Sequence, residues 1–166
     1  VGIATLHRHF PKRDDLVTAV FQQIVDDELA PLVHDDPPEL SSIRALGAVF
    51  ERILSIVAAE RGLLIAAGAF GSVTDTIVET FRPRLWMLLA QAQEDKLARD
   101  DLVEDDLVPL LVMLVSTIVG TPASSDGWRR YLALTLDAIS TPTPSPLPLA
   151  VASSSELIHT TPLLRP

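Results

Sequence analysis

The side chains with most to offer chemically are gathered at one end: His7, Arg8, His9, Lys12 and Arg13, with no acid before Asp14. Imidazoles and cations this close together suit either a metal site or an anion-binding surface. Spacing separates the two, because on a helix His7 and His9 point about 200° apart and do not share a metal ion. Gly2 is an acceptable N-cap, with Val1 and Leu6 placed to pack as a hydrophobic staple. Leu6 and Phe10, four apart, share one face directed at a core. Ala4, Thr5 and Arg8 then project from the opposite face, with His7 and His9 flanking them. The chain has 13 Lys+Arg against 22 Asp+Glu, a net charge of −9. It is therefore no general polyanion binder, and any nucleic-acid contact has to be local. A short cationic helix of this kind suits a major groove, its centre on base edges and its flanks on phosphates.

The run Thr5-Leu6-His7-Arg8-His9-Phe10-Pro11-Lys12-Arg13-Asp14-Asp15-Leu16 resembles the signature of tetracycline-repressor (TetR) family regulators. There the pattern is Thr-Leu-Tyr-x-His-Phe, a short turn, then a charged residue before Leu, forming the recognition helix of a helix-turn-helix and the helix after it. The resemblance implies that Ile3, Ala4, Thr5 and Arg8 approach bases, while His7, His9 and Arg13 hold phosphates. Lys12 completes the DNA-binding set. Two residues depart from the pattern. His7 stands where Tyr is usual, shortening the reach to phosphate, and Lys12 stands where a capping Ser or Thr is common. The resemblance also implies two further helices ahead of Val1, so the chain is expected to be a fragment.

Other chemistries find little support. No nucleophile elbow, HExxH, P-loop or dinucleotide fingerprint occurs, and the histidines are confined to His7, His9, His34 and His159, so the chain is not expected to be an enzyme. No cofactor or metal is expected. His34 beside Asp35 and Asp36 reads as a solvated, proline-rich acidic loop. The segment 99–106 lacks the alternating oxygen ligands and central Gly of a calcium loop. The absence of cysteine excludes disulfides and thiolate metal sites and fits a reducing cytoplasm. No apolar run reaches about 18 residues, so no membrane span is expected.

The elements that must position the first stretch read as helices throughout. A helix from about Arg13 to Leu29 carries Leu16, Val17, Val20, Phe21, Ile24 and Val25 as a wide apolar stripe, with Asp14 and Asp15 in its dipole-favoured first turn. Pro31 and Asp35-Asp36-Pro37-Pro38 then make a loop. Serine caps at 41–42 open a helix to about Glu60, apolar around most of its circumference and so expected to be central. The glycines of 62–71 form no phosphate-cradling loop and suit either close helix contacts or room for a ligand. Ser72 to about Phe81 reads as a short helix, with Pro83 opening a new one to about Leu97 or Ala98. The nearly unbroken apolar run 107–119 and the helix 127–139 follow. From Ser140 the Pro/Ser-rich composition predicts a disordered or loosely draped tail.

The expected fold is therefore all-α: a partial helix-turn-helix head (1–29), a helical ligand-binding and dimerisation bundle (40–139) and a tail (140–166). The last two helices are apolar on more than one face, and the resemblance implies that they pair with their copies in a four-helix dimer interface. Leu107, Leu111, Leu114, Trp128, Leu132 and Leu136 are the candidate interface residues. A small apolar effector is expected among the body helices, with Phe50, Ile53, Phe70, Phe81, Trp86, Met87 and Met113 as candidate cavity residues. The resemblance implies a ligand-responsive regulator, most often a repressor, that binds a near-palindromic operator as a homodimer. The competing reading is an all-α dimeric small-molecule-binding protein without DNA-binding activity.

Overall fold

The computed structural model describes residues 10, 13–24, 26–27, 40–67, 70–120, 126–140 and 145–147, with the side chains at 13–14, 66–67 and 70–74 left out. Among these residues there are helices α1 (Arg13–Ile24), α2 (Ser42–Ala59), α3 (Arg61–Ala67), α4 (Phe70–Glu94), α5 (Glu104–Gly120) and α6 (Trp128–Ile139), and no strand. The fold is all-α, as the periodicity predicts.

Helix α2 is the hub, in contact with α3, α4, α5 and α6. Its sequence explains why: Leu46, Val49, Phe50, Ile53, Leu54, Ile56 and Val57 are buried, leaving a narrow exposed strip through Arg44, Ala48, Glu51 and Arg52. A helix apolar over most of its circumference is stable only with neighbours on several sides. Ser41 precedes it with extended backbone (φ −62°, ψ 151°) but forms no side-chain cap. The hydroxyl of Ser42 donates instead to Asp95 Oδ2 at 2.8 Å, tying the start of α2 to the end of α4. At Gly47 α2 packs closely on α6, since a Cβ there would lie 2.9 Å from Leu136 Cδ1.

Helix α4 departs from the expected break at Pro83, running unbroken through it. Proline removes one N–H and so leaves the Glu79 carbonyl without its helical partner. Both residues are exposed, so water can take that carbonyl. Buried Ile77, Val78 and Phe81 before the proline, and Leu85, Leu88, Leu89 and Ala92 after it, hold both halves on the same core. Packing overrides the local signal. The helix ends in a Schellman turn, with the Leu97 amide donating to the Ala92 carbonyl at 2.8 Å and the Lys96 amide to that of Gln93 at 3.1 Å. Lys96 takes the left-handed position at φ 59°, where glycine is usual.

The turn after α4 is a junction of three helix ends. Gln93 Nε2 donates to the carbonyls of Arg99 at 3.0 Å and Leu102 at 2.8 Å. The Arg99 amide in turn caps the Ile139 carbonyl of α6 at 2.9 Å. Asp106 reaches back to accept the Val103 amide at 2.9 Å, the acidic half of a capping box for α5. Glu104, Asp105 and Asp106 thus sit in the first turn, at the positive end of the α5 dipole. Among the described residues, no group of three or more His, Cys, Asp or Glu could hold a metal ion, and no helix is long and apolar enough to cross a membrane.

Candidate functional site

Of the predicted DNA-contacting residues, Ile3, Ala4, Thr5, His7, Arg8, His9 and Lys12 lie outside the described residues. Arg13 is described only as the first backbone position of α1. What the structure describes is Phe10 and the helix that follows that stretch in sequence. Phe10 is half-buried, and α1 docks on α3 and α4 through Val17 (4% exposed) and Phe21 (0%), with Ile24 packed behind them. Val17 and Phe21 belong to the same core as Phe50 and Phe81. The helix that follows the cationic stretch in sequence is therefore part of the body's own core.

Helix α3 has a second tie. Arg61 Nη2 donates to the Val119 carbonyl in the last turn of α5 at 2.9 Å. A cation at a helix C-terminus is favoured by the dipole as well as by the hydrogen bond. Arg61 thus connects the helix beneath α1 to one of the two helices at the far end of the chain.

The seven candidate cavity residues do not surround one space. Phe50, Ile53 and Phe81 are fully buried and packed in the central core. Phe70 opens α4, with its side chain outside the description. Trp86 is half-buried under the Arg82 guanidinium, 5.4 Å from its ring centre. It lines an open groove of about 470 Å³ with Gln93, Asp100, Leu102 and Glu104. Met87 and Met113 are exposed, by 46% and 62%, on α4 and α5 respectively.

The six candidate interface residues are likewise placed differently from expectation. Leu107, Leu111, Leu114, Trp128 and Leu132 are buried within the single chain, and half-buried Leu136 packs on Gly47. Helices α5 and α6 turn this stripe inward because α2 supplies the cover that the apolar content demands. Arg129 reinforces the arrangement by pairing with Glu51 of α2 while stacking 4.5 Å over the Trp128 ring.

The outward apolar surface of α5 and α6 uses other residues. Met113 on α5 and Tyr131 and Leu134 on α6 are 62%, 47% and 53% exposed and flank a groove of about 430 Å³ between the two helices. Leu134 stands off the main α6 stripe, and that offset was the available signal in the sequence. At one end of the groove lies Leu147, beyond the α6 terminus. Its amide donates to Asp101 Oδ2 at 3.2 Å, and Arg99 Nη2 donates to the Ser145 carbonyl at 2.7 Å. Arg99 and Asp101 are themselves joined by two hydrogen bonds, at 2.6 and 2.9 Å. The hydrogen bond from Arg99 holds the Asp101 carboxyl down at about 2, and the same contact raises Arg99. This piece of the tail, expected to be loose, is clamped at two points.

No protein-family model, no curated protein and no solved structure matches the chain.

Proposed function

We propose that the chain belongs to a ligand-responsive, DNA-binding transcription regulator of the TetR type that acts as a homodimeric repressor on a near-palindromic operator. One observation carries the reading. The cationic run Thr5–Lys12 immediately precedes α1 in sequence, and α1 is anchored in the core of an all-helical body through Val17 and Phe21. A reading helix mounted this way reports the state of the body to DNA.

Regulation follows as a population shift, because a small molecule that binds one arrangement of the body more tightly than another moves the equilibrium by that difference. An effector that reaches Phe50, Ile53 and Phe81 has to part α2 from α4, since all three are fully buried between packed helices. Parting them displaces α4, and α1 rests on α4. The two heads of a dimer then lose the spacing that fits successive major grooves. Dimerisation falls to the outward face bearing Met113, Tyr131 and Leu134, and the inward stripe serves the fold. The test is selection of a specific operator from random duplexes, with a strongly salt-dependent affinity.

A further inference from the structure

The outward side of α5 and α6 carries few charges, and their order is informative. After Asp106, α5 has none through to Gly120. On α6 the most outward stripe is Arg130, Leu134 and Asp137, all exposed, with Tyr131 and Ala138 beside it lining the groove toward α5. Spacings of four and three put Arg130, Leu134 and Asp137 on one helix face. Arg130 and Asp137, of opposite sign, therefore stand about two turns apart with Leu134 between them.

Symmetry gives this order a use. In a two-fold contact residue i meets j and j meets i. Two α6 helices laid antiparallel, and crossing midway between Arg130 and Asp137, set each Arg130 opposite the partner's Asp137. Both residues lie about 5 Å along the axis from that midpoint. Leu134 then meets its own copy beside the two-fold, and Tyr131 falls opposite the small side chain of the partner's Ala138. Crossing at Arg130 or at Asp137 instead brings like charges together, which costs association. Two chains of net charge −9 repel one another over most of their surface. A second copy in this register is the partner that meets both charges of the stripe with their opposites.

We infer that α6 pairs with α6 of a second copy, antiparallel and centred near Leu134, and that Arg130 and Asp137 fix the register and select a like partner. The inference rests on the homodimer reading given above and names the contact that makes it.

The test is a charge exchange in the full chain, with Arg130→Asp and Asp137→Arg made singly and together. Both positions are exposed, so thermal unfolding should be nearly unchanged in all three variants. Each single substitution sets like charges opposite one another twice. Sedimentation equilibrium at low ionic strength should show each single variant associating about tenfold more weakly than the parent. An equimolar mixture of the two single variants should regain the parent's affinity, and native mass spectrometry should find the heterodimer in excess of either homodimer. In that heterodimer every pair is again of opposite sign, as it is in the double variant, which should also recover. Added salt should shrink all of these differences.

Single variants that associate as tightly as a dimeric parent overturn the pairing and leave the homodimer to other residues. A mixture no tighter than its components apart overturns it too, and assigns each charge a partner within its own chain. A parent that stays monomeric at every concentration overturns the pairing together with the homodimer reading on which it rests.

Discussion

Leu134 and Leu136 are two positions apart on α6 and point to different surroundings, so the same substitution at each should have opposite consequences. Leu136 is half-buried against α2, its Cδ1 occupying the space that a Cβ on Gly47 would need. Leu136→Glu removes part of the roughly 1.5–3 kcal/mol that burying a leucine contributes. It also brings a carboxylate to an apolar contact at a cost of about 1–3 kcal/mol. A net loss of about 2–4 kcal/mol lowers Tm by about 5–15 °C for a domain of this size. Leu134 is 53% exposed, and a surface change of this kind alters stability by less than about 0.5 kcal/mol. Leu134→Glu should therefore leave Tm nearly unchanged while weakening self-association through the outward face. Thermal unfolding by circular dichroism and sedimentation equilibrium on both variants give the answer. A large fall in Tm for Leu134→Glu, with Leu136→Glu unaffected, would show that the faces of α6 have been assigned the wrong way round.

Phe21→Ala should cost about 3–5 kcal/mol, as for any fully buried phenylalanine. Hydrogen exchange should show the loss concentrated in α1 and the elements it touches. Gly47→Val should destabilise by about 1–3 kcal/mol because its Cβ would lie 2.9 Å from Leu136 Cδ1 and the Leu136 side chain has to give way, and the double variant with Leu136→Ala should recover part of that in a denaturant titration. Asp101 is held at about 2, below its ordinary 3.8, so its contact contributes stability that is present above pH 4 and lost as the pH falls through about 2. Carboxyl-carbon NMR should find its midpoint near 2, and Arg99→Ala should return it toward 3.8; an unmoved midpoint would discount the clamp.

Much of the architecture is legible in residue order because burial in a helical protein leaves a strong periodic trace. The near-complete apolar circumference of the segment from Ser42 identifies the central helix, and the apolar run after Asp106 identifies α5. Pro83 misleads because its local cost is small when both the proline and the orphaned carbonyl face water, and the buried residues on each side decide the outcome. The inward placement of Leu107, Leu111, Leu114, Trp128 and Leu132 could not be read locally. An apolar stripe specifies that it will be covered, not whether the cover comes from α2 or from a second chain. For the same reason Phe50 and Met113 looked alike as cavity residues, although one is fully buried and the other 62% exposed. The Arg99–Asp101 clamp had no local signature, because its partners at Ser145 and Leu147 are joined to it only by the fold.

Operator selection tests most directly whether the stretch at the start of the chain binds DNA in a sequence-specific way. The protein is incubated with a pool of random duplexes at two salt concentrations, alongside Arg8→Ala and Arg13→Ala. The expected result is a single near-palindromic site whose affinity falls steeply with salt. Arg8→Ala should lose about 1–3 kcal/mol, concentrated at one base pair in each half-site. Arg13→Ala should weaken binding to all sequences and reduce the salt slope, as removal of a phosphate contact does. A protein that enriches no sequence at either salt concentration contradicts the regulator reading altogether.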